Sequence, residues 1–250
     1  MGATVCRAVA GDPALELVAA VDPLHAGIDL QQLGVSDTGL QVARTAEALA
    51  EAGAEVAVDF TVLDAARENL RWCAANGVHA VVGTTGFSDD DIDDLRARFE
   101  ASSANVVIAP NFAIGAVLMM RFAALAAPYF ETAEVIELHH DEKVDAPSGT
   151  AMLTAARMAE ASSDWGPDPT EKTILEGARG GEGPGGIRVH SVRLRGLVAH
   201  QEVILGTTGQ SLSIRHDSYD RTSFMPGVLL AVRAVGDRPG LTLGLDAVLA

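Results

Sequence analysis

A chain of 250 residues and 25.9 kDa, 48% hydrophobic and 21% charged with a mean hydropathy of +0.20, is long enough for one large domain or two modest ones and apolar enough to bury a core. Eighteen Lys and Arg against 34 Asp and Glu leave a net charge of −16 and a pI near 4.7, which argues against a general nucleic-acid or membrane-surface role. Two cysteines, Cys6 and Cys73, cannot build a disulfide framework and read as reduced cytosolic thiols. No cationic stretch followed by a long apolar run opens the sequence, so no secretory leader is expected. The most apolar region, 106–130, is interrupted by Pro110, Asn111, Gly115 and Arg121. A membrane span needs about 20 mostly apolar residues, so a soluble cytoplasmic protein is expected.

Through the first half, short β-rich runs alternate with helical patterns, which is how βα units read. A helix is predicted over 2–10, a strand over 15–21 ending at Asp22, and a helix over 45–52 closed by Gly53. A strand over 55–60 and a helix over 65–75 follow, with Asn76-Gly77 as the stop signal. The strand 78–82 runs into Gly83-Thr84-Thr85-Gly86. Ser88 and Asp91 have the spacing of a capping box, and the acids of 89–94 suit a solvated helix start better than a metal site. A strand over 105–109 and a strongly apolar helix over 114–127 complete this part.

After Phe130 the pattern changes. A strand over 134–139 is followed by a polar loop through Pro147-Ser148-Gly149 and a helix over 150–161. Residues 162–186 are rich in Gly, Pro and charge and read as a long mobile loop. Three strands in succession, 187–194, 200–206 and 211–216, argue for an antiparallel or mixed sheet. A helix over 224–235 and a short strand over 241–245 close the pattern. The economical architecture is a nucleotide-binding α/β domain, then an α+β domain, with the last helix and strand returning to the first.

In a dinucleotide-binding βαβ unit, a glycine-rich turn opens a helix and a carboxylate about 20 residues on takes the ribose hydroxyls. Gly2 at a helix start and Asp22 at a strand end have that spacing, and a turn glycine with a strand-end acid explains them equally well. The segment Glu137–Thr150 carries more information. A strand delivers His139 and His140 to opposite faces, Lys143 follows, and Ser148-Gly149-Thr150 opens a helix whose free N–H groups suit a carboxylate. Imidazole, ammonium and a helix N-terminus together can bind an acid and move a proton at neutral pH. Packed histidines with a solvated lysine remain an equal alternative. Metal binding by His139, His140, Asp141 and Glu142 is disfavoured, because successive ligands on one extended stretch converge poorly.

ELHHDEKVDAPSGTA (137–151) resembles the signature of the bacterial 4-hydroxy-tetrahydrodipicolinate (dihydrodipicolinate) reductase family. VDFT (58–61), VVGTTGF (81–87), IAPNFAIG (108–115) and RHDSYDRTSFMPGV (215–228) match further stretches of that family in order, so the resemblance spans the chain from Gly2 onward. It implies an α/β fold: a Rossmann-like parallel-sheet nucleotide-binding domain (1–111 and 225–250) and an α+β mixed-sheet substrate and tetramerisation domain (112–224). It implies hydride transfer from NADH or NADPH to a small cyclic dicarboxylate in lysine and diaminopimelate biosynthesis, by a cytoplasmic homotetramer. His139 matches the family's acid/base histidine and Lys143 its proton-donating lysine, with His140, Gly149 and Thr150 on the substrate. Gly83, Thr84, Thr85, Ala109, Pro110, Asn111 and Phe112 would line the cofactor, with Asp22 near the adenosine ribose. Arg215 and Arg221 are additional candidates for the dicarboxylate, each equally readable as a surface charge. Family members carry a strand and glycine loop of roughly a dozen residues ahead of the position of Gly2. Met1-Gly2 falls inside that loop, so the expectation is an internal methionine taken as the start, or a shortened chain with a weakened pyrophosphate grip and little activity. A catalytically impaired homologue that keeps the fold is the alternative reading.

Overall fold

The computed structural model describes residues 1–249 and divides into two units, Met1–Phe112 with Arg221–Ala250, and Ala113–Asp220. The first unit begins with α1 (Gly2–Ala10) and the short α2 (Glu47–Glu51), then alternates β1 (Val56–Asp59), α3 (Leu63–Asn76), β2 (His79–Val82), α4 (Asp89–Glu100) and β3 (Val106–Ile108). Helix α3 stops where Gly77 takes a left-handed φ of 69°, a conformation that costs glycine nothing. The capping box at α4 is present: Ser88 Oγ accepts from the Asp91 N–H while the Asp91 carboxylate accepts from the Ser88 N–H. Of the acids here, Asp89, Asp90 and Asp93 are exposed as expected, whereas Asp91 is clamped by Arg67 at 2.6 and 2.8 Å and Asp94 is paired with Arg98 and Arg71.

The strand expected over 15–21 does not form. Only an isolated parallel bridge joins Val21 to Ala43. Pro23 ends the extended run at once, and the apolar side chains Leu17 and Ala20 pack on a local cluster around Leu30, Val35 and Val42 instead of entering a ladder.

The second unit contains α5 (Ile114–Ala126), β4 (Thr132–His139), α6 (Gly149–Ala161), the two-residue β5 (Gly181–Glu182), β6 (Arg188–Arg193), β7 (Ala199–Thr207) and β8 (Gln210–Ser218). Its five-stranded sheet has the order β5-β6-β4-β7-β8 and is mixed: β4 pairs parallel with β6 and antiparallel with β7. The 162–186 stretch is irregular for most of its length but tied to the sheet. Arg179 reaches Glu134 at 2.6 Å, Arg188 reaches Asp168 at 2.9 Å, and β5 pairs with β6.

The chain then returns to the first unit through α7 (Met225–Ala234) and β9 (Leu241–Leu243). Strand β9 completes a four-stranded, all-parallel sheet of order β1-β2-β3-β9. Residues of α3 and α4, among them Leu70, Leu95 and Phe99, cover the face presenting Ala80, Val82, Val106 and Ile108. Each fully buried Leu or Phe of this layer contributes about 1.5–3 kcal/mol by leaving water. Buried Asn105 pins the returning segment: its amide donates to the Val235 and Gly236 carbonyls at 3.0 and 2.9 Å and its oxygen accepts from the Gly240 N–H at 3.1 Å.

Candidate active site

Residues two apart on a strand share a face, so Glu137 and His139 of β4 point the same way. Parallel register sets Arg193 of β6 beside His139. Glu137 is fully buried. Its carboxylate accepts from Arg193 Nη1 and Nη2 at 2.8 Å each and from the Ser148 N–H at 3.2 Å, and Oε2 lies 2.5 Å from His139 Nδ1. Burial opposes ionisation of Glu137, yet bonds from Arg193, Ser191 and His139 outweigh it and hold the carboxyl below its usual range. At His139 burial wins and lowers proton affinity, helped by Lys143 and Arg193 and opposed by Glu137. The imidazole is therefore mainly neutral at pH 7.

Lys143 Nζ donates to both carboxylate oxygens of Asp145, at 2.7 and 2.8 Å, and the carbonyl of Asp145 accepts from Arg193 Nη2 at 2.7 Å. The loop that carries the lysine is thus fastened to the same guanidinium that holds Glu137. Ser148 caps α6, its Oγ accepting from the Ala151 N–H, and leads directly into Gly149 and Thr150. A Cβ added at Gly149 would meet nothing within 4 Å, so the space beside this helix start is open. His139, Lys143, Gly149 and Thr150 therefore gather around the end of β4 and the head of α6, while His140 is exposed just past the strand. Arg215 is committed to Asp217 and Glu202, and Arg221 belongs to the first unit. Arg193, which no local sequence pattern marks, is the arginine at the site. Its partner becomes visible only once β4 and β6 are known to pair. Among the described residues, no three His, Cys, Asp or Glu side chains are grouped as a metal ion would require.

The first unit carries a second set of candidates. Parallel strands β1, β2 and β3 end at one edge of the sheet, where open α/β folds bind ligands. At that edge Asp59 is buried and its carboxylate fully used. It accepts from the Thr61 N–H and hydroxyl at 2.8 Å, from the Thr84 hydroxyl at 3.1 Å and from Asn69 Nδ2 at 2.7 Å. One carboxylate thereby joins the turn after β1 to the Gly83-Thr84-Thr85-Gly86 turn after β2. Gly83 is crowded: an added Cβ would lie 2.1 Å from Phe60 Cε1. Thr84 is buried and Thr85 exposed. After β3, Ala109 is buried, Pro110 exposed and Asn111 half-buried. The Phe112 ring is buried and tilted against Phe60, with centroids 5.7 Å apart, so it is not presented outward as a ligand face. Its carbonyl is backed by Gly227 of α7, where a Cβ would come within 2.1 Å. Asp22 is half-exposed and engaged locally, accepting from the Leu24 N–H at 2.8 Å and lying 2.9 Å from His25 Nδ1.

Comparison with known proteins agrees across both units. The model for the dihydrodipicolinate reductase N-terminus matches residues 1–112, and that for the dihydrodipicolinate reductase C-terminus matches residues 115–249. A protein of Mycolicibacterium vanbaalenii named 4-hydroxy-tetrahydrodipicolinate reductase is 54% identical over 226 residues, 90% of this chain and 92% of that one. Its namesake in Nocardia farcinica is 53% identical over 98% of this chain and 93% of its own. The solved structure of dipicolinate-bound dihydrodipicolinate reductase from Paenisporosarcina sp. TG-14 superposes with a TM-score of 0.85 at 41% identity, covering 98% of this chain and 93% of that one. On these matches, with the His139–Lys143 cluster and the parallel-sheet edge both in place, the chain belongs to the dihydrodipicolinate reductase family.

Proposed function

We propose that this chain reduces 4-hydroxy-tetrahydrodipicolinate to tetrahydrodipicolinate with NADH or NADPH, in the lysine and diaminopimelate branch of amino-acid biosynthesis. The observation that carries the reading is that His139 and the Ser148 N–H meet on the buried carboxylate of Glu137, with the loop that carries Lys143 fastened through Asp145 to Arg193 beside them, in a chain of this family. Residues 1–111 and 225–250 serve as the dinucleotide-binding part, and 112–224 as the substrate-binding and oligomerisation part of a cytoplasmic homotetramer. No described helix is long and apolar enough to cross a membrane, and both Cys6 and Cys73 are free thiols.

The first unit fits a nicotinamide nucleotide. Three parallel strands end together, Asp59 stiffens the turns that follow two of them, and Gly83 excludes a side chain. Gly83, Thr84, Thr85 and the 109–112 segment would hold it, with Asp22 toward the ribose. When bound, the reduced nicotinamide supplies the hydride. In the second unit, Lys143 and the N–H groups of the first turn of α6 provide local positive potential for the substrate carboxylates within a chain of −16 overall, and His140 offers a ring nitrogen for a hydrogen bond beside them. The substrate hydroxyl departs as water and so needs a proton, which Lys143 donates. His139, mainly neutral, exchanges protons at the nitrogen that does not face Glu137.

His139→Gln and Lys143→Ala should each lower turnover by about 10²–10⁴-fold. Loss of reduced-nicotinamide absorbance with freshly generated substrate measures it. Near-full turnover in both variants would remove their assignment, and an inert parent protein would remove the reductase reading itself.

A further inference from the structure

Glu137 is a buried acid that the proton-transfer scheme above does not use. Burying a carboxylate is unfavourable unless its charge is met, and here it is met twice over. The Arg193 fork supplies a matching positive charge through two bonds, and the Ser148 N–H supplies a third. Satisfying the buried charge therefore does not require His139. Even so, strand alternation brings the imidazole onto the same face, and Oε2 lies 2.5 Å from Nδ1. A carboxylate at Nδ1 can only accept, so the nitrogen facing it carries the proton. In a neutral imidazole the other nitrogen is then bare, and Nε2 of His139 makes no hydrogen bond to any described residue.

We propose that Glu137, braced by Arg193, is the positioning carboxylate of His139: it selects the Nδ1–H tautomer and turns a bare Nε2 toward the substrate. The inference rests on the reductase reading for its chemistry but not for its geometry. The charged groups facing the imidazole are Glu137 on its own strand, Arg193 on β6 and Lys143 on the following loop, and Lys143 is itself paired with Asp145. Of these only Glu137 favours the imidazolium. Removing its charge leaves two cations and burial acting in the same direction, so the histidine becomes harder to protonate.

Two readouts test this. In the intact wild-type protein, the nitrogen-15 shifts of the His139 ring should show a protonated Nδ1 and a bare Nε2. The opposite tautomer would overturn the proposal without reference to activity. In Glu137→Gln, kcat should fall between about 10-fold and 10³-fold with KM for both substrates changed less than about threefold, and the limb of the kcat/KM profile that reports His139 should move to lower pH. An unmoved limb in a variant whose circular dichroism matches wild type would overturn it. If Glu137→Gln does not fold, the wild-type ring shifts decide alone. A wild-type protein inert toward the cyclic substrate removes the reductase reading, whereas a wrong tautomer in an active enzyme removes only the role of Glu137.

Discussion

Replacing Gly83 by alanine tests whether the turn after β2 is shaped by close approach. The new Cβ would fall 2.1 Å from Phe60 Cε1 and 2.6 Å from Cδ1 and Cζ. Carbon atoms in favourable contact sit about 3.5–4.0 Å apart, so the ring has to retreat by about 1.5 Å. Its retreat disturbs the tilted contact with Phe112, a pairing worth about 0.5–1.5 kcal/mol, and overpacking itself costs about 1–3 kcal/mol. The sum is roughly 2–4 kcal/mol, at about 2–4 °C of Tm per kcal/mol for a chain of this size. The obstruction is a side chain, so it can be removed. In Gly83→Ala/Phe60→Ala the two losses should fall short of additivity by about 1–3 kcal/mol. Thermal melts of the four proteins, each paired with a calorimetric NADH titration, measure both effects. An alanine variant as stable as the parent, or strictly additive losses in the double variant, would refute the reasoning. Unchanged NADH affinity in Gly83→Ala would show that this turn does not touch the nucleotide.

Asp59→Ala leaves the Thr61 N–H and the Asn69 amide short of an acceptor, while the Thr61 and Thr84 hydroxyls fall back on the Val62 and Thr61 carbonyls; it should cost about 2–4 kcal/mol in urea melts while weakening NADH binding, and intact affinity would show that the two turns hold themselves. His139 and His216 both titrate below the usual histidine range, burial being the main cause in each. The folded second unit therefore binds fewer protons than the unfolded chain just below about pH 6.5, so its stability rises with pH across that window and is lost as pH falls through the folded values. Urea midpoints should accordingly drop between about pH 7 and about pH 5, with a shallower drop in His216→Gln, and a flat profile would contradict the burial argument. Gly149→Ala meets no atom within 4 Å and should leave Tm unchanged or slightly raised, yet raise KM for the cyclic dicarboxylate; an unaltered KM would move the carboxylate site away from this helix start.

Local chemistry was readable from the chain, and long-range pairing was not. Ser88 and Asp91 signal a helix start within four residues, and Gly77 signals a stop, because a cap or a left-handed turn is a property of its neighbours. The ends of β1, β2 and β3 follow the sequence pattern to within two residues for the same reason, each being a short apolar run bounded by turn residues. The run at 15–21 has the composition of a strand, but a strand exists only with a partner, and its sole bridge is to Ala43. The histidine and lysine of the site stand out in one contiguous segment. Arg193 does not, since its meaning depends on the parallel pairing of β6 with β4, 56 positions from Glu137. Gly227 and Phe60 were invisible for a similar reason: one backs the carbonyl of Phe112 and the other crowds Gly83, and neither contact leaves a periodic trace.

The discontinuity of the first unit has a bearing on how the protein is made. Strand β3 is buried throughout, and its outer edge is paired only by β9. Asn105, next to it, finds its acceptors 130 and 131 positions later and its donor 135 positions later. At ordinary synthesis speeds of about 5–20 residues per second, a nascent chain waits roughly 7–27 s between making that edge and making its cover. All of the second unit, Ala113–Asp220, is synthesised during this interval. The growing polypeptide therefore carries an open, apolar strand edge while its later half is still being made, which is the kind of surface that chaperones shield and that aggregates when they do not. A premature stop near residue 220 would accordingly strip β9 from the first sheet while keeping every strand of the second.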